Sequence, residues 1–321
     1  MSAPRGRGRI VVGGEALVDL VPVRRPGGGD GGGDDEAEPA LVPLAPRRGG
    51  GPYNTAVGLG RLGVTTSMLT RLSTDAFGDA LLARLVDNGV DTDLVQRGVE
   101  PSTLAVVTLD EHGAARYSFH VEGAADRFVT DPGALPGDTV ALAVGTLSLL
   151  LEPGGAVYAA LAGREAAAGR FVSLDPNVRV GLVPDADALR ARLDGIAAGA
   201  GLVKLSDEDA DWWGRGPADL LDLGAGAVVL TRGTDGLSAI TATGTVEVPA
   251  DTSRTVVDTI GAGDSVHAAL LGWLADRDLL DRERLAALDA AGWTEALTRA
   301  AKAASITCSR AGAEPPWAGE L

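Results

Sequence analysis

Short apolar segments alternate with amphipathic helical segments along most of the 321-residue chain. This alternation predicts an α/β fold of three layers, in which helices cover both faces of a mostly parallel sheet. The predicted strands are 10–12, 66–69, 140–144, 171–174, 202–205 and 227–230. The predicted helices include 79–88, 156–168, 185–198 and 294–307. In such a sheet, ligands bind at the carboxyl ends of the strands.

A turn of small residues precedes an apolar helical run near the C-terminus, where residues 258–264 read Asp-Thr-Ile-Gly-Ala-Gly-Asp. Gly261, Ala262 and Gly263 allow successive backbone N–H groups to point at one place, and the following helix adds its positive end. The pattern predicts an anion-binding turn. Asp264 beside it suits a general base that takes the proton of a hydroxyl during phosphoryl transfer. The alternative is that Asp264 only caps the helix.

Two segments break the alternation, at about 20–50 and 100–122, because each contains strand-like patches without a helix. The second predicts a hairpin around residues 110–113. Within the first, the Gly- and Asp-rich residues 26–36 predict a solvated, flexible tip. A calcium-binding loop is the weaker alternative for these acids.

Composition limits the partners. The net charge is −16, which argues against nucleic acid and anionic membrane surfaces, since both demand Lys and Arg. Cys308 is the only cysteine, so no intrachain disulfide can form. The longest apolar run, 139–151, is too short to span a bilayer and predicts a buried strand that leads into a loop. No apolar signal segment follows Met1, and we therefore expect a cytoplasmic protein.

A second glycine-rich segment, Gly-Gly-Gly-Pro-Tyr-Asn at 49–54, opens a helical stretch that ends near Leu62. Together, the two motifs, their order and their separation resemble the ribokinase-like (PfkB) carbohydrate kinases. Members of that family carry a Gly-Gly-x-x-x-Asn sugar-binding segment near the N-terminus and Asp-Thr-x-Gly-Ala-Gly-Asp near the C-terminus. The resemblance runs from about Arg9 to Pro316 and includes segments 72–78, 173–179 and 228–236. It implies one kinase domain with a small β-sheet lid, often used for dimerisation, that phosphorylates a sugar hydroxyl with magnesium and ATP.

The resemblance also implies roles for individual residues. The transferring phosphoryl group would lie at Gly261, Ala262 and Gly263, with Asp264 as the base. The sugar would contact Asp19, Gly50, Gly51, Asn54, Arg179 and His120. The nucleotide would lie along Lys204, Ser206, Asp209, Thr231, Gly233 and Gly236. A potassium ion would lie near Asp258, the Ile260 carbonyl and Gly312.

Two departures from the family pattern bear on function. Ser206 and Asp209 stand where many members place Asn-x-x-Glu, the pair that organises magnesium and phosphate through water. Gly51 and Pro52 stand where ribose-specific members carry Lys-Gly, so a fructokinase is the first expectation. A 2-keto-3-deoxygluconate kinase is the alternative, in which Arg179 and Arg116 would hold a carboxylate. A binding protein that has kept the fold but lost turnover is a third.

Two patterns have a simpler explanation than the one they first suggest. Residues 58–63 match the dinucleotide fingerprint Gly-x-Gly-x-x-Gly, but they fall inside a helical stretch that begins at about Asn54. We expect these glycines to pack a helix against the sheet. His267 follows Asp264 by three residues, and we expect it to pack in the core.

Overall fold

A computed structural model describes residues 8–23, 42–109 and 115–321. The strands of this part are β1 Arg9–Gly13, β2 Leu17–Pro22, β3 Leu44–Gly49, β4 Thr66–Ser73, β5 Val95–Gly98, β6 Leu104–Leu109, β7 Ala115–His120, β8 Thr139–Gly145, β9 Phe171–Asp175, β10 Leu202–Ser206, β11 Ala227–Thr231, β12 Leu237–Thr241 and β13 Gly244–Val248. Its α-helices are α1 Gly51–Arg61, α2 Ala76–Asp87, α3 Gly154–Ala167, α4 Ala186–Gly199, α5 Asp207–Trp213, α6 Pro217–Leu223, α7 Ala262–Asp276, α8 Arg282–Ala286 and α9 Ala290–Cys308. Among these described helices, none is both long and apolar enough to cross a bilayer.

The central sheet has the strand order β13-β12-β11-β10-β9-β8-β1-β4-β5. The seven strands from β11 to β5 are parallel, and β12 and β13 add an antiparallel hairpin at one edge. One apolar cluster packs α1, α7 and α9 on one face, and a second packs α3, α4 and α6 on the other. The predicted α/β fold of three layers is confirmed. The strands β5, β12 and β13 were not predicted, because they lie at or next to the edges of the sheet and polar residues interrupt their apolar runs.

The chain from 139 to 151 differs from its prediction at one end. It forms β8 as expected, but the strand then enters a short 3₁₀ turn, Thr146–Leu149, rather than an open loop. Thr146 begins that turn with a φ of 60°, a conformation uncommon for a residue with a side chain. The turn lies at the carboxyl edge of the sheet and directs Thr146 toward the site described below.

A second, four-stranded sheet has the order β3-β2-β6-β7, and we call it the lid sheet. It is built from the two segments that break the alternation. The predicted hairpin turn at 110–113 and the predicted flexible tip at 26–36 lie outside the described residues. Along β2, side chains alternate between the two faces, so Leu17 and Asp19 face one way while Val18 faces the other.

The glycines of the apparent dinucleotide fingerprint lie in and after α1 and serve packing. A Cβ on Gly58 would come within 2.7 Å of Ala268 in α7, and one on Gly60 within 2.2 Å of the Asn88 carbonyl oxygen. These glycines therefore pack α1 against α7 and the end of α2, and not against the sheet as expected from the sequence. His267 is buried, and its Nε2 lies 2.7 Å from the Ser173 hydroxyl of β9. Burial lowers the pKa of His267 to about 3, so this ring is neutral.

Candidate active site

The turn before α7 has the geometry of an anion cradle. Gly261 is left-handed, with a φ of 78°, and a Cβ there would approach that of Ala313 to 2.6 Å. The N–H of Ala262 is held within the turn by the Thr259 carbonyl, 3.2 Å away. Among the described residues, the N–H groups of Gly261 and Gly263 have no protein partner, so they are free to hold an oxyanion.

Asp264 is the third residue of α7 and does not cap it. The N-cap is Gly261, and its place is set by backbone conformation alone, so the capping interpretation of Asp264 is wrong. The Asp264 side chain is buried, and its Oδ2 accepts a hydrogen bond of 2.9 Å from Nδ2 of Asn54 in α1. Burial raises the pKa of Asp264 to about 7, although the bond from Asn54 opposes that rise. A carboxyl with this pKa can accept a proton near neutral pH.

Lys204 and Asp175 form a buried ion pair beside this turn, with Nζ and Oδ1 3.0 Å apart. Asp175 ends β9, and Lys204 lies in the middle of the neighbouring parallel strand β10. Burial lowers the pKa of Lys204, but the charges of Asp175, Asp209 and Asp264 outweigh it, so the net pKa is raised and Lys204 stays protonated. A Cβ on Gly263 would lie 3.2 Å from Lys204 Nζ, which places this ammonium directly against the cradle.

A polar cavity of about 290 Å³ opens between this turn and the lid sheet. Five of the six predicted sugar-contacting residues line it, together with the predicted catalytic residues: Asp19, Gly50, Gly51, Asn54, Arg179, Gly261, Ala262, Gly263 and Asp264. Burial raises the pKa of Asp19 to about 6, against the opposing effect of Arg179. These predictions therefore account for nine of the nineteen residues that line this cavity.

His120 is the predicted contact that the structure does not bring into the cavity. It is exposed, whereas Tyr117 and Phe119 of the same strand line the cavity. Their rings stack with centroids 5.9 Å apart. Because side chains alternate along β7, residues 117 and 119 share one face and residue 120 takes the other. This alternation was a signal that the sequence already contained.

Glu15 is a cavity residue that the sequence analysis did not single out. The Thr146 hydroxyl and the Ser148 N–H, at 3.0 Å, donate to its carboxylate, and the Gly51 N–H lies 3.3 Å from it. Burial raises its pKa, and these hydrogen bonds oppose the rise. Glu15 thus joins the start of α1 to the 3₁₀ turn after β8. The sequence signal that could have identified Glu15 is its position directly after a buried strand, in the segment Gly-Gly-Glu.

A second cavity of about 350 Å³ meets the first at the catalytic turn. The two cavities share Thr259, Ala262 and Gly263 as lining residues. The predicted nucleotide residues Thr231, Gly233 and Gly236 line the second cavity. Gly236 has a φ of 93°, and a Cβ there would meet the Val248 carbonyl oxygen at 2.2 Å. The arrangement allows a group to pass from one cavity to the other at Gly263.

The other predicted nucleotide residues lie elsewhere. Lys204 lines the first cavity, and neither Ser206 nor Asp209 is among the residues lining the second. Ser206 and Asp209 form a capping box at the start of α5. The Asp209 carboxylate also accepts the Val178 N–H at 2.7 Å. Both of its oxygens are therefore engaged by donors of the chain itself.

Asp258, Ile260 and Gly312 come together as predicted. One carboxylate oxygen of Asp258 accepts the Ile260 N–H at 3.0 Å, and the other accepts the Gly312 N–H at 2.8 Å. Among the described residues, no Lys, Arg or His forms an ion pair with Asp258. A cation bound to this half-buried carboxylate would neutralise its charge.

Comparison with known proteins gives a consistent result. A model of the pfkB family of carbohydrate kinases matches residues 10–318. The chain is 40% identical over 284 residues to a fructokinase of Rhizobium leguminosarum bv. trifolii, covering 86% of this chain and 82% of that protein. The structure of Xylella fastidiosa fructokinase with bound ATP superposes with a TM-score of 0.83 at 26% identity, covering 96% and 94% of the two chains. Aminoimidazole riboside kinase from Salmonella enterica, complexed with that riboside and an ATP analogue, gives a TM-score of 0.76 at 26% identity over 95% of each chain.

Proposed function

The chain belongs to the pfkB family of carbohydrate kinases, and from that premise we propose that it is a fructokinase that transfers the γ-phosphate of ATP to a hydroxyl of fructose. The observation that carries the proposal is the meeting of the two cavities at Gly263, with Asp264 on the lid side. A neutral polyol suits the first cavity, because Asp19 and Asn54 offer hydrogen-bond partners and the stacked rings of Tyr117 and Phe119 offer an apolar surface.

In the proposed reaction, the sugar hydroxyl approaches Asp264 from the first cavity while the nucleotide extends from the second. Asp264 takes the hydroxyl proton as the oxygen attacks the γ-phosphorus. The N–H groups of Gly261 and Gly263 and the ammonium of Lys204 hold the negative charge of the transferring group. Asp175 keeps Lys204 charged and fixed in place. ADP and the sugar phosphate are then released.

Magnesium enters this proposal with ATP, as part of the substrate. The residues present do not fit a direct Mg²⁺ site at Asp209, because three chain donors, the Val178 N–H and the N–H and hydroxyl of Ser206, already occupy its carboxylate, whereas Asp258 accepts only one hydrogen bond on each oxygen. Potassium fits better at Asp258, where the carboxylate has no countercharge among the described residues. There it would stabilise the loops that carry Ile260 and Gly312, next to the catalytic turn.

The test is ADP release measured with fructose, 2-keto-3-deoxygluconate and aminoimidazole riboside. We expect kcat/KM for fructose to exceed the other two at least about tenfold, a difference of about 1.4 kcal/mol in transition-state binding. The second candidate is the ketodeoxygluconate reaction, which the exposed guanidinium of Arg179 at the cavity favours. A preference for that acid, lost in Arg179→Gln, would replace the fructokinase proposal.

We also propose a cytoplasmic homodimer that forms through the lid sheet. The face opposite Asp19 carries an apolar stripe formed by Leu20, Pro22, Leu44 and Val106, and all of these are at least partly exposed. A second copy would cover this stripe. Light scattering should give twice the chain mass for the wild type and the single mass for Leu44→Asp. A wild-type monomer would contradict the dimer.

A further inference from the structure

A third cavity, of about 480 Å³, lies on the other side of the lid sheet. It shares no lining residue with the two active-site cavities. Val18 and Arg48, which are paired across β2 and β3, form one wall. One face of α2, from Ala76 to Arg84, and residues 311–314 form the others.

The charge of this cavity is positive, although the chain as a whole carries −16. Arg47, Arg48 and Arg84 line it, and Glu314 is its only lining carboxylate among the described residues. Glu314 already forms ion pairs with Arg84, at 3.0 Å, and with Arg61, at 2.7 Å. In the described part of the chain, neither Arg47 nor Arg48 forms an ion pair or a side-chain hydrogen bond.

The Arg84 side chain is held in one position at the bottom of the cavity. Its side chain is only 7% exposed, and its Nη2 donates to the Ala313 carbonyl at 2.8 Å. Burial lowers the pKa of Arg84, Glu314 opposes this, and the charges of Arg61 and Arg48 lower it further. An anion between these guanidinium groups would relieve their mutual repulsion.

The start of α2 also lines the cavity, but its carboxylate cap limits what it adds to the positive potential. Ala76 and Phe77, in the first turn of this twelve-residue helix, line the cavity and bring its positive end to it. The nearby carboxylate of Asp75 is engaged by the N–H groups of Gly78 and Ser102, at 2.8 and 2.9 Å. As the charged cap of α2, Asp75 offsets the positive end of the helix, so the positive charge of the cavity comes from the arginines.

We propose that this cavity is a binding site for a small polyanion, a phosphate ester or a polycarboxylate, separate from the catalytic site. The guanidinium group pairs with carboxylate and phosphate oxygens through two parallel hydrogen bonds. Two such groups on the β3 wall and one on α2 match a ligand with two or more anionic centres. A volume of about 480 Å³ is in the range of small-molecule sites.

The test is titration calorimetry of the full chain with pyrophosphate and with citrate. A non-hydrolysable ATP analogue fills the catalytic site beforehand, without free magnesium because both probes chelate it, so that the anion cradle of that site does not contribute. We expect saturable binding of about one equivalent of at least one probe. Arg47→Glu and Arg48→Glu should each weaken it about ten- to hundredfold, as expected for the loss of charged hydrogen bonds. The probe that binds with the higher affinity shows whether the ligand is a phosphate or a carboxylate.

Arg282→Glu is the matched control, because it makes the same charge change at an exposed site that is not part of the cavity. It should bind the probe like the wild type. Both cavity variants replace exposed side chains, and melting temperatures verify that they fold. Absence of saturable binding to the wild type, binding that survives in either cavity variant, or equal weakening by Arg282→Glu would each overturn the proposal.

Discussion

The side-chain amide of Asn54 donates a 2.9 Å hydrogen bond to Oδ2 of Asp264, across 210 residues of sequence. The two residues belong to the two glycine-rich motifs, so this single bond joins the start of α1 to the start of α7. It also stabilises the ionised form of Asp264 against the cost of burial. The amide therefore acts on the acid-base behaviour of the proposed catalytic base.

Replacing Asp264 with Asn should lower kcat by about 10²–10⁴, because the hydroxyl would lose its proton acceptor while the cradle stays in place. The KM for ATP should change little, since Asp264 does not line the nucleotide cavity. Steady-state kinetics with both substrates checks this. Full activity in Asp264→Asn would remove the residue from its proposed role.

The pH profile of kcat should follow the ionisation of Asp264. Its pKa is about 7, and the base works only when deprotonated, so kcat should fall about tenfold per pH unit below that value. Asn54→Leu removes the hydrogen bond that lowers this pKa, so the acid limb should move to higher pH. A limb that stays in place in Asn54→Leu would mean that another group controls it.

Gly263→Val and Gly261→Ala should fail in different ways. At Gly263 the added side chain enters the junction of the two cavities and reaches Lys204, so kcat should fall about 10²–10³-fold with limited loss of stability. At Gly261 even a methyl group meets Ala313 in a left-handed backbone, and the melting temperature should fall. Measuring kcat per folded molecule separates the two effects. Normal turnover in folded Gly263→Val would contradict the anion cradle.

Lys204→Met should destabilise the protein by about 3–5 kcal/mol, because it leaves the buried Asp175 charge without its partner. Adding Asp175→Leu removes that charge and should restore much of the free energy of unfolding, measured in urea. Turnover should stay low in the double variant, since the cradle has lost its ammonium. Restored stability together with restored kcat would show that the pair is only structural.

The sequence predicted the parts of the site that are local in the chain. The turn at Gly261–Gly263 follows from three small residues before a helix, and Asp264 follows from its place beside them. The sequestration of Asp209 could not be predicted in the same way. It depends on the Val178 N–H, which belongs to a loop after a neighbouring strand. Only the assembled sheet brings that donor within 2.7 Å.

The residues that were hardest to predict are those whose role depends on the direction of a side chain or on partners that are distant in the sequence. His120 was predicted from the family resemblance, because relatives present an aromatic residue to the sugar from this lid segment, whereas strand alternation places Tyr117 and Phe119 on the cavity side. Glu15 was overlooked because its partners, Thr146 and Ser148, lie more than a hundred residues away. Both errors arise from side-chain direction and distant pairing, which periodicity alone does not specify.

The division of the site between two sheets has a consequence for how such proteins diversify. The cradle, Asp264 and Lys204 are held by α7 and the central sheet, while Asp19, Tyr117 and Phe119 project from the lid sheet. Mutations in the lid can therefore alter the accepted sugar while the phosphoryl-transfer apparatus is inherited intact. New substrate specificities in this lineage should arise first from substitutions on the strands β2 and β7, because substitutions there reduce the rate of phosphoryl transfer least.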